Sequence, residues 1–200
     1  MFQEFRHLRV QDTSDVDHLL SPTQVHQPST LRSPALEVMT DFIETAPVTV
    51  SGQLGVDEAL EWMKSQHVRM LFVVDDRDRF VGVITARDIA GTRVMAYAQQ
   101  NGIARAEVQV RHVMHGKEQI RGLTFEQVSD ATIGDLMLTM QGSGDQHVVV
   151  IDEGYAGVKR VRGVISASDI SRLLKVSFEI MYEAKTFAEI EKIVAHGGEL

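Results

Sequence analysis

The sequence predicts an α/β (α+β) fold made of two tandem β-α-β-β-α units, preceded by an arm and followed by an amphipathic helix. Three observations predict it. An octapeptide recurs: Gly82-Val-Ile-Thr-Ala-Arg-Asp-Ile89 and Gly163-Val-Ile-Ser-Ala-Ser-Asp-Ile170 agree at six of eight positions. The same order of patterns precedes each copy. The spacing between matching positions is nearly constant and grows only at turns, the signature of a duplicated unit.

The elements follow in order. Each unit opens on a short strand, Val48-Thr-Val50 or Leu123-Thr-Phe125. A helix comes next. Val56, Ala59, Leu60 and Met63 give helical spacing over 56–65, and Ile133, Leu136, Met137 and Met140 repeat it. Asp130-Ala-Thr-Ile supplies N-cap candidates for the second of these helices. The β-branched runs Met70–Val74 and Val148–Ile151 then read as buried strands, each leading through a hairpin into the octapeptide. A closing helix starts at Ala86 or Ala167; the first should run to about Gln100, before Asn101-Gly102.

The offsets locate the divergence. Met39 to Met114 and Thr49 to Thr124 are 75 residues apart, Met63 to Met140 and Asp75 to Asp152 are 77, and Asp88 to Asp169 are 81. The last step falls in the hairpin tip, where insertions are tolerated. The boundaries expected from chain order are an extended or partly disordered arm over 1–34, unit one over 35–100, a linker over 101–110, unit two over 111–175 and a tail helix over 176–200. One unit of this size is marginal alone, so the two are expected to pack face to face.

Composition narrows the function classes. The 200 residues contain no cysteine, which excludes disulfides, thiolate metal sites and cysteine catalysis within them. A net charge of −8 disfavours nucleic acid as a partner. No apolar run approaches the ~20 residues of a membrane helix, and Met1–Val10 lacks a signal-peptide core; a cytoplasmic protein without a membrane partner is expected. No nucleophile elbow, phosphate loop or zinc-protease pattern is present, so the expectation is a protein that is not an enzyme.

Two β-α-β-β-α units, each ending in Gly-h-h-[Ser/Thr]-x-x-Asp (h, apolar) at a strand-to-helix junction, resemble the CBS (cystathionine-β-synthase) domain pair, or Bateman module. The matching residues are Gly82 to Asp88 and Gly163 to Asp169, with Glu37-Val-Met-Thr40 and Arg111-His-Val-Met114 resembling the stretch before the first strand. The likeness spans about residues 36–175. It implies pseudo-two-fold packing, two clefts between the units, and an adenosyl ligand in a cleft: AMP, ADP, ATP or S-adenosylmethionine. It also implies that Asp88 and Asp169 hold ribose hydroxyls, that Thr85 and Ser166 lie on the phosphate side, and that the protein forms a homodimer. No obligatory cofactor and no metal are implied.

Elementary chemistry suits those residues to that role. A carboxylate accepts from two hydroxyls at once, and the start of a helix offers free N–H groups and partial positive charge to an anion. Arg87 adds a cation in the first motif, where the second has Ser168; Arg69 and Arg93 are its plausible neighbours. The Thr85/Arg87/Asp88 cleft is therefore the better candidate for a multiply phosphorylated ligand. Val48, Thr49, Leu123 and Thr124 are the expected walls for the adenine. The same Thr/Ser-x-x-Asp patterns also read as near capping boxes with a purely structural role. His112 and His115 read as surface histidines, and His67 or His147 as possible ligand contacts. The functional expectation is a regulatory nucleotide sensor acting on a partner; the alternatives are a ligand-free CBS scaffold for assembly and a minor activity on a nucleotide.

Overall fold

A computed structural model describes residues 29–154 and 157–175, together with residues 10, 11 and 14. The expected arm up to residue 28 and the tail helix over 176–200 lie outside the described residues. The strands are β1 (Met39–Asp41), β2 (Thr49–Ser51), β3 (Met70–Val74), β4 (Phe80–Thr85), β5 (His115–Gly116), β6 (Gly122–Thr124), β7 (His147–Glu153) and β8 (Lys159–Ser166). The helices are α1 (Val56–Ser65), α2 (Ala86–Ala90), α3 (Thr92–Asn101), α4 (Val110–Val113), α5 (Phe125–Asp130), α6 (Ile133–Ser143) and α7 (Ala167–Leu174).

Each unit alternates its side chains across a sheet with the two-residue period of a strand. Leu71 and Val73 of β3 and Ile84 of β4 point to α1 and α2, forming a core with Val56, Ala59, Met63 and Ile89. Val148, Val150 and Ile165 do the same in the second unit against Ile133, Leu136, Met140 and Ile170. The intervening residues form a third cluster. Met70, Phe72 and Val83 of the first sheet meet Val149, Val161 and Val164 of the second, so the two sheets face each other. Phe42 joins them edge-on to Phe72, with ring centroids 5.2 Å apart.

Most local signals are satisfied where they were read, although Phe125, expected in the first strand of unit two, starts α5. Helix α1 has the expected bounds. Thr132 caps α6: its hydroxyl accepts from the Asp135 amide and its amide donates to the Asp135 carboxylate. The extra short helix α5 lies between Thr124 and α6, where the offset rises from 75 to 77. One helix differs. The run expected from Ala86 to about Gln100 breaks at Gly91, which is extended (φ −79°, ψ −172°) and ends α2 while starting α3.

Chain order does not give sheet membership. The sheets run β2-β3-β4-β5 and β1-β8-β7-β6. Each borrows an edge strand from the segment that opens the other unit. β5 pairs antiparallel with β4 (Gly82 opposite Gly116), and β1 with β8 (Asp41 opposite Gly163). The cores follow: Val108, Val110 and Val113 complete the first, Ala35 and Val38 the second. The boundaries at 35–100 and 111–175 thus divide the chain but not the packed bodies. Arg162 fastens one exchange. Its Nε and an Nη each donate to Asp41 at 2.9 Å, and the guanidinium lies 4.2 Å from the Phe125 ring centroid. Among the described residues no helix is long and apolar enough to cross a membrane.

Candidate functional site

The β4–α2 junction carries the first octapeptide into a cleft between the units. Thr85 is the N-cap of α2, and its hydroxyl accepts from the Asp88 amide at 3.2 Å. Oδ2 of Asp88 accepts in return from the Thr85 amide at 2.9 Å and its hydroxyl at 2.6 Å. The capping reading therefore holds. The other carboxylate oxygen does something a cap does not require. Oδ1 of Asp88 meets His115 Nε2 at 2.9 Å and an Nη of Arg93 at 3.4 Å, and Arg93 lies 2.7 Å from the same imidazole nitrogen. The break at Gly91 separates Arg93 from α2, and the strand exchange supplies His115.

These contacts decide the charge of Asp88. Burial alone would raise its carboxyl. The hydrogen bonds from His115 and from the Thr85 side chain and amide outweigh burial and hold it at about 2. An ionised carboxylate with a side chain only 13% exposed is therefore maintained at the cleft wall.

The cleft has a volume of about 620 Å³, within the range of small-molecule sites. Thr85, Arg87 and Asp88 line it from unit one, with His115 and Arg121 from the segment leading into β6 and Asp145 to His147 from the α6–β7 loop. Val48, Thr49, Leu123 and Thr124 do not line it. β2 lies two strands from β4, on the far side of β3, and β5 occupies the position beside β4. Val48 and Leu123 pack against the two cores, and the Thr124 hydroxyl caps α5.

The second junction is built differently. The Ser166 hydroxyl lies 2.6 Å from Asp169 and 2.9 Å from the Ser168 hydroxyl, and Asp169 accepts from Arg172 at 2.6 Å. The Asp88 cleft does not reach Ser166 or Asp169. The helix-start contribution is also smaller than expected. α2 has five residues, and its Ala86 and Asp88 amides already donate to the Arg69 carbonyl and to Thr85. Neutralisation of a phosphate at this junction falls to side chains.

Histidine is where sequence reasoning missed most. His112 stacks on Tyr97 at 4.7 Å and accepts from the Gln109 amide, a structural role. His115, three residues on, is in the cleft. The His-x-x-His spacing marked it, but only the exchange of β5 places it on Asp88. His147 also lines the cleft. Burial holds its imidazole below the usual value; Asp169 and Asp88 oppose that and Arg69 adds to it. Among the described residues no group of three or more His, Asp or Glu could hold a metal ion.

Comparison with known proteins gives the following. The family model of the CBS domain matches residues 37–93. L-aspartate semialdehyde sulfurtransferase of Methanocaldococcus jannaschii is 26% identical over 143 residues, which are 72% of this chain and 24% of that protein. The chain thus spans about a quarter of the curated relative's length. Among solved structures, an uncharacterized conserved protein from Pyrococcus horikoshii has the same fold, with a TM-score of 0.52, 18% identity, and coverage of 76% of this chain and 99% of that one. CBSX2 of Arabidopsis thaliana, in complex with AMP, gives a TM-score of 0.49 at 20% identity over 70% of this chain and 94% of its own.

Proposed function

We propose that this tandem CBS-domain pair is a non-catalytic regulatory module that binds an adenosyl nucleotide in the cleft between its units. The observation that carries the proposal is the ionised, largely buried Asp88 carboxylate on the wall of a 620 Å³ cleft built from both units. A cap alone needs neither the cleft nor the His115 and Arg93 contacts. In this reading Asp88 holds the ribose diol, Thr85 and Arg87 lie on the phosphate side, and Ser166 and Asp169 are the corresponding pair of a second, weaker cleft. Because both units form the walls, occupancy alters how they sit together, and a partner reads the change. A ligand shifts such an equilibrium only by its difference in affinity for the two states.

The relative's sulfurtransferase activity is not carried over. These residues hold no cysteine, so sulfur transfer through a protein persulfide is unavailable to them. Dimerisation belongs to the same proposal. Leu138 on α6 and Trp62 on α1 are 71% and 45% exposed, as helical faces that meet a second copy would be. One observation favours a ligand-free scaffold instead: both oxygens of Asp88 already have partners.

Native mass spectrometry of the purified chain, followed by calorimetric titration with AMP, ADP, ATP, NADH and S-adenosylmethionine, separates the two readings. A co-purified nucleotide or saturable heat is expected. Asp88→Ala is expected to weaken binding by about 1.5–3 kcal/mol, the contribution of hydrogen bonds to a charged group, against about 1 kcal/mol of stability for a lost cap. Unchanged affinity in that variant places the ligand elsewhere. No heat from a well-folded chain leaves the scaffold reading.

A further inference from the structure

A ribose diol finds no free lone pair on Asp88. Each carboxylate oxygen offers about two acceptor positions. Oδ2 fills both from Thr85, with the amide at 2.9 Å and the hydroxyl at 2.6 Å. Oδ1 meets His115 Nε2 at 2.9 Å and an Nη of Arg93 at 3.4 Å. A vicinal diol brings donors of its own, so a pair already present must leave. The two pairs differ in how firmly they hold. Thr85 belongs to the capping box of α2, and releasing its contacts undoes the helix start. The side chains of His115 and Arg93 are each 40% exposed and can turn out into solvent. They also crowd each other. Arg93 lies 2.7 Å from Nε2, and an imidazole nitrogen that donates to Asp88 has no lone pair left for a guanidinium. Two donors thus converge on one oxygen.

Neither partner belongs to the repeat. His115 lies opposite Val83 in the β4–β5 pair, and Thr40 lies opposite Val164 in the β1–β8 pair. Thr40 therefore holds the place of His115 beside the second octapeptide. Arg93 follows Asp88 at the distance at which Leu174 follows Asp169. The second unit forms its Ser166–Asp169 cap and its exchanged strand without either group. The cap and the strand pairing do not require an imidazole or a guanidinium at these places, so the two side chains on Oδ1 are an addition to the scaffold.

We propose that His115 and Arg93 form a gate on Asp88: they hold Oδ1 as internal competitors, and a vicinal diol opens the gate by taking their place. This rests on the nucleotide-binding reading above and adds a regulatory device to the same cleft, which His115 and Asp88 both line. A ligand with the diol pays the displacement and turns His115 out. A ligand without it fills the cleft and leaves the gate shut. The moving side chains are carried by α3 and by the exchanged strand β5, so recognition of the ribose becomes a movement at the strand that joins the units. The filled carboxylate then belongs to a gated site rather than to a ligand-free scaffold.

The test is calorimetric titration of the full chain, and of His115→Ala and His115→Phe, with AMP, ADP, ATP, NADH and S-adenosylmethionine, and with the dideoxy forms of AMP and ATP, which lack the diol. Both substitutions remove the donor, and phenylalanine keeps a ring at the cleft wall. Thr40 at the matching place of β1 shows that the strand pairs without an imidazole, so the variants are expected to fold. Compounds with the diol are expected to bind the variants about three- to tenfold more tightly than they bind wild type, the net worth of one hydrogen bond. The dideoxy compounds are expected to bind wild type and variants alike, or none of them. Diol affinity unchanged or weakened in both variants overturns the gate and leaves the nucleotide reading standing. A gain that the dideoxy compounds share comes from the cleft wall and overturns the gate as well. No heat with any adenosyl compound, from variants and wild type alike with native circular dichroism, overturns both.

Discussion

Asp88 is the residue whose chemistry the surroundings change most. Its carboxyl sits at about 2 in the folded chain, against an ordinary value of 3.8. A carboxyl depressed on folding stabilises the native state above its ordinary value, and that stabilisation is lost as pH falls through the folded value. The difference corresponds to about 2 kcal/mol. Asp88→Asn removes this contribution. In urea titrations, wild type is therefore expected to exceed the variant by most of that amount at pH 6, and the gap should narrow as pH falls from 4 towards 2. A gap that stays constant over this range contradicts the charged network of Asp88, His115 and Arg93. Among the contacts that lower this carboxyl, the hydrogen bond from His115 is the largest. His115→Ala is accordingly expected to move the Asp88 titration upwards, measured by the carbon chemical shift of its carboxyl; an unmoved titration breaks the assignment of that contact.

At the scale of elements, the exchanged strands explain the glycine in each octapeptide. A Cβ on Gly82 would run into the His115 carbonyl oxygen, and one on Gly163 would meet the Met39 side chain and the Thr40 carbonyl. Both obstacles are strands that enter from the other unit. Backbone in a paired ladder cannot step aside as a flexible side chain can, so Gly82→Ala is expected to destabilise by about 1–3 kcal/mol, the range for forced overpacking. Gly142, inside α6, has nothing within 4 Å of its would-be Cβ among the described residues. Gly142→Ala is expected to stabilise by about 0.5–1 kcal/mol, the helix-interior difference between the two residues. Denaturant midpoints of the two variants should move in opposite directions; a neutral Gly82→Ala shows that β5 does not hold to β4 as described. The bounds of α1, the cap at Thr132 and the hairpin strands were legible because they depend on residues a few positions apart. The seat of β5 beside β4 was not. Nothing in His115-Gly116 states that it pairs with Gly82 and Val83, and Asp41 is bound by Arg162, 121 positions away. The adenine walls were assigned to Val48, Thr49, Leu123 and Thr124 as first-strand residues offering an apolar slot, and the Asp88 cleft is lined by other residues.

For the whole molecule, the exchange and the facing sheets join two units into one folding body. The first core needs Val108 and Val110 from the linker and Val113 from the start of unit two, and the second needs Ala35 and Val38 from the start of unit one. The third cluster belongs to both. Neither unit completes its core from its own contiguous segment, and a body of this size with shared cores unfolds in one step. Trp62 makes this measurable, because it is the single tryptophan and lies on α1 of the first unit. Its fluorescence reports unit one, while far-ultraviolet circular dichroism reports the helices of both. The two urea transitions are expected to coincide in midpoint and slope. A saturating nucleotide is expected to shift them together, by about 2.7 kcal/mol at a ligand concentration a hundredfold above Kd. A fluorescence transition that precedes or follows the circular dichroism means that the units unfold separately. In that case the exchanged strands do not couple them, and a ligand bound between them has no path by which to change the shape of the whole.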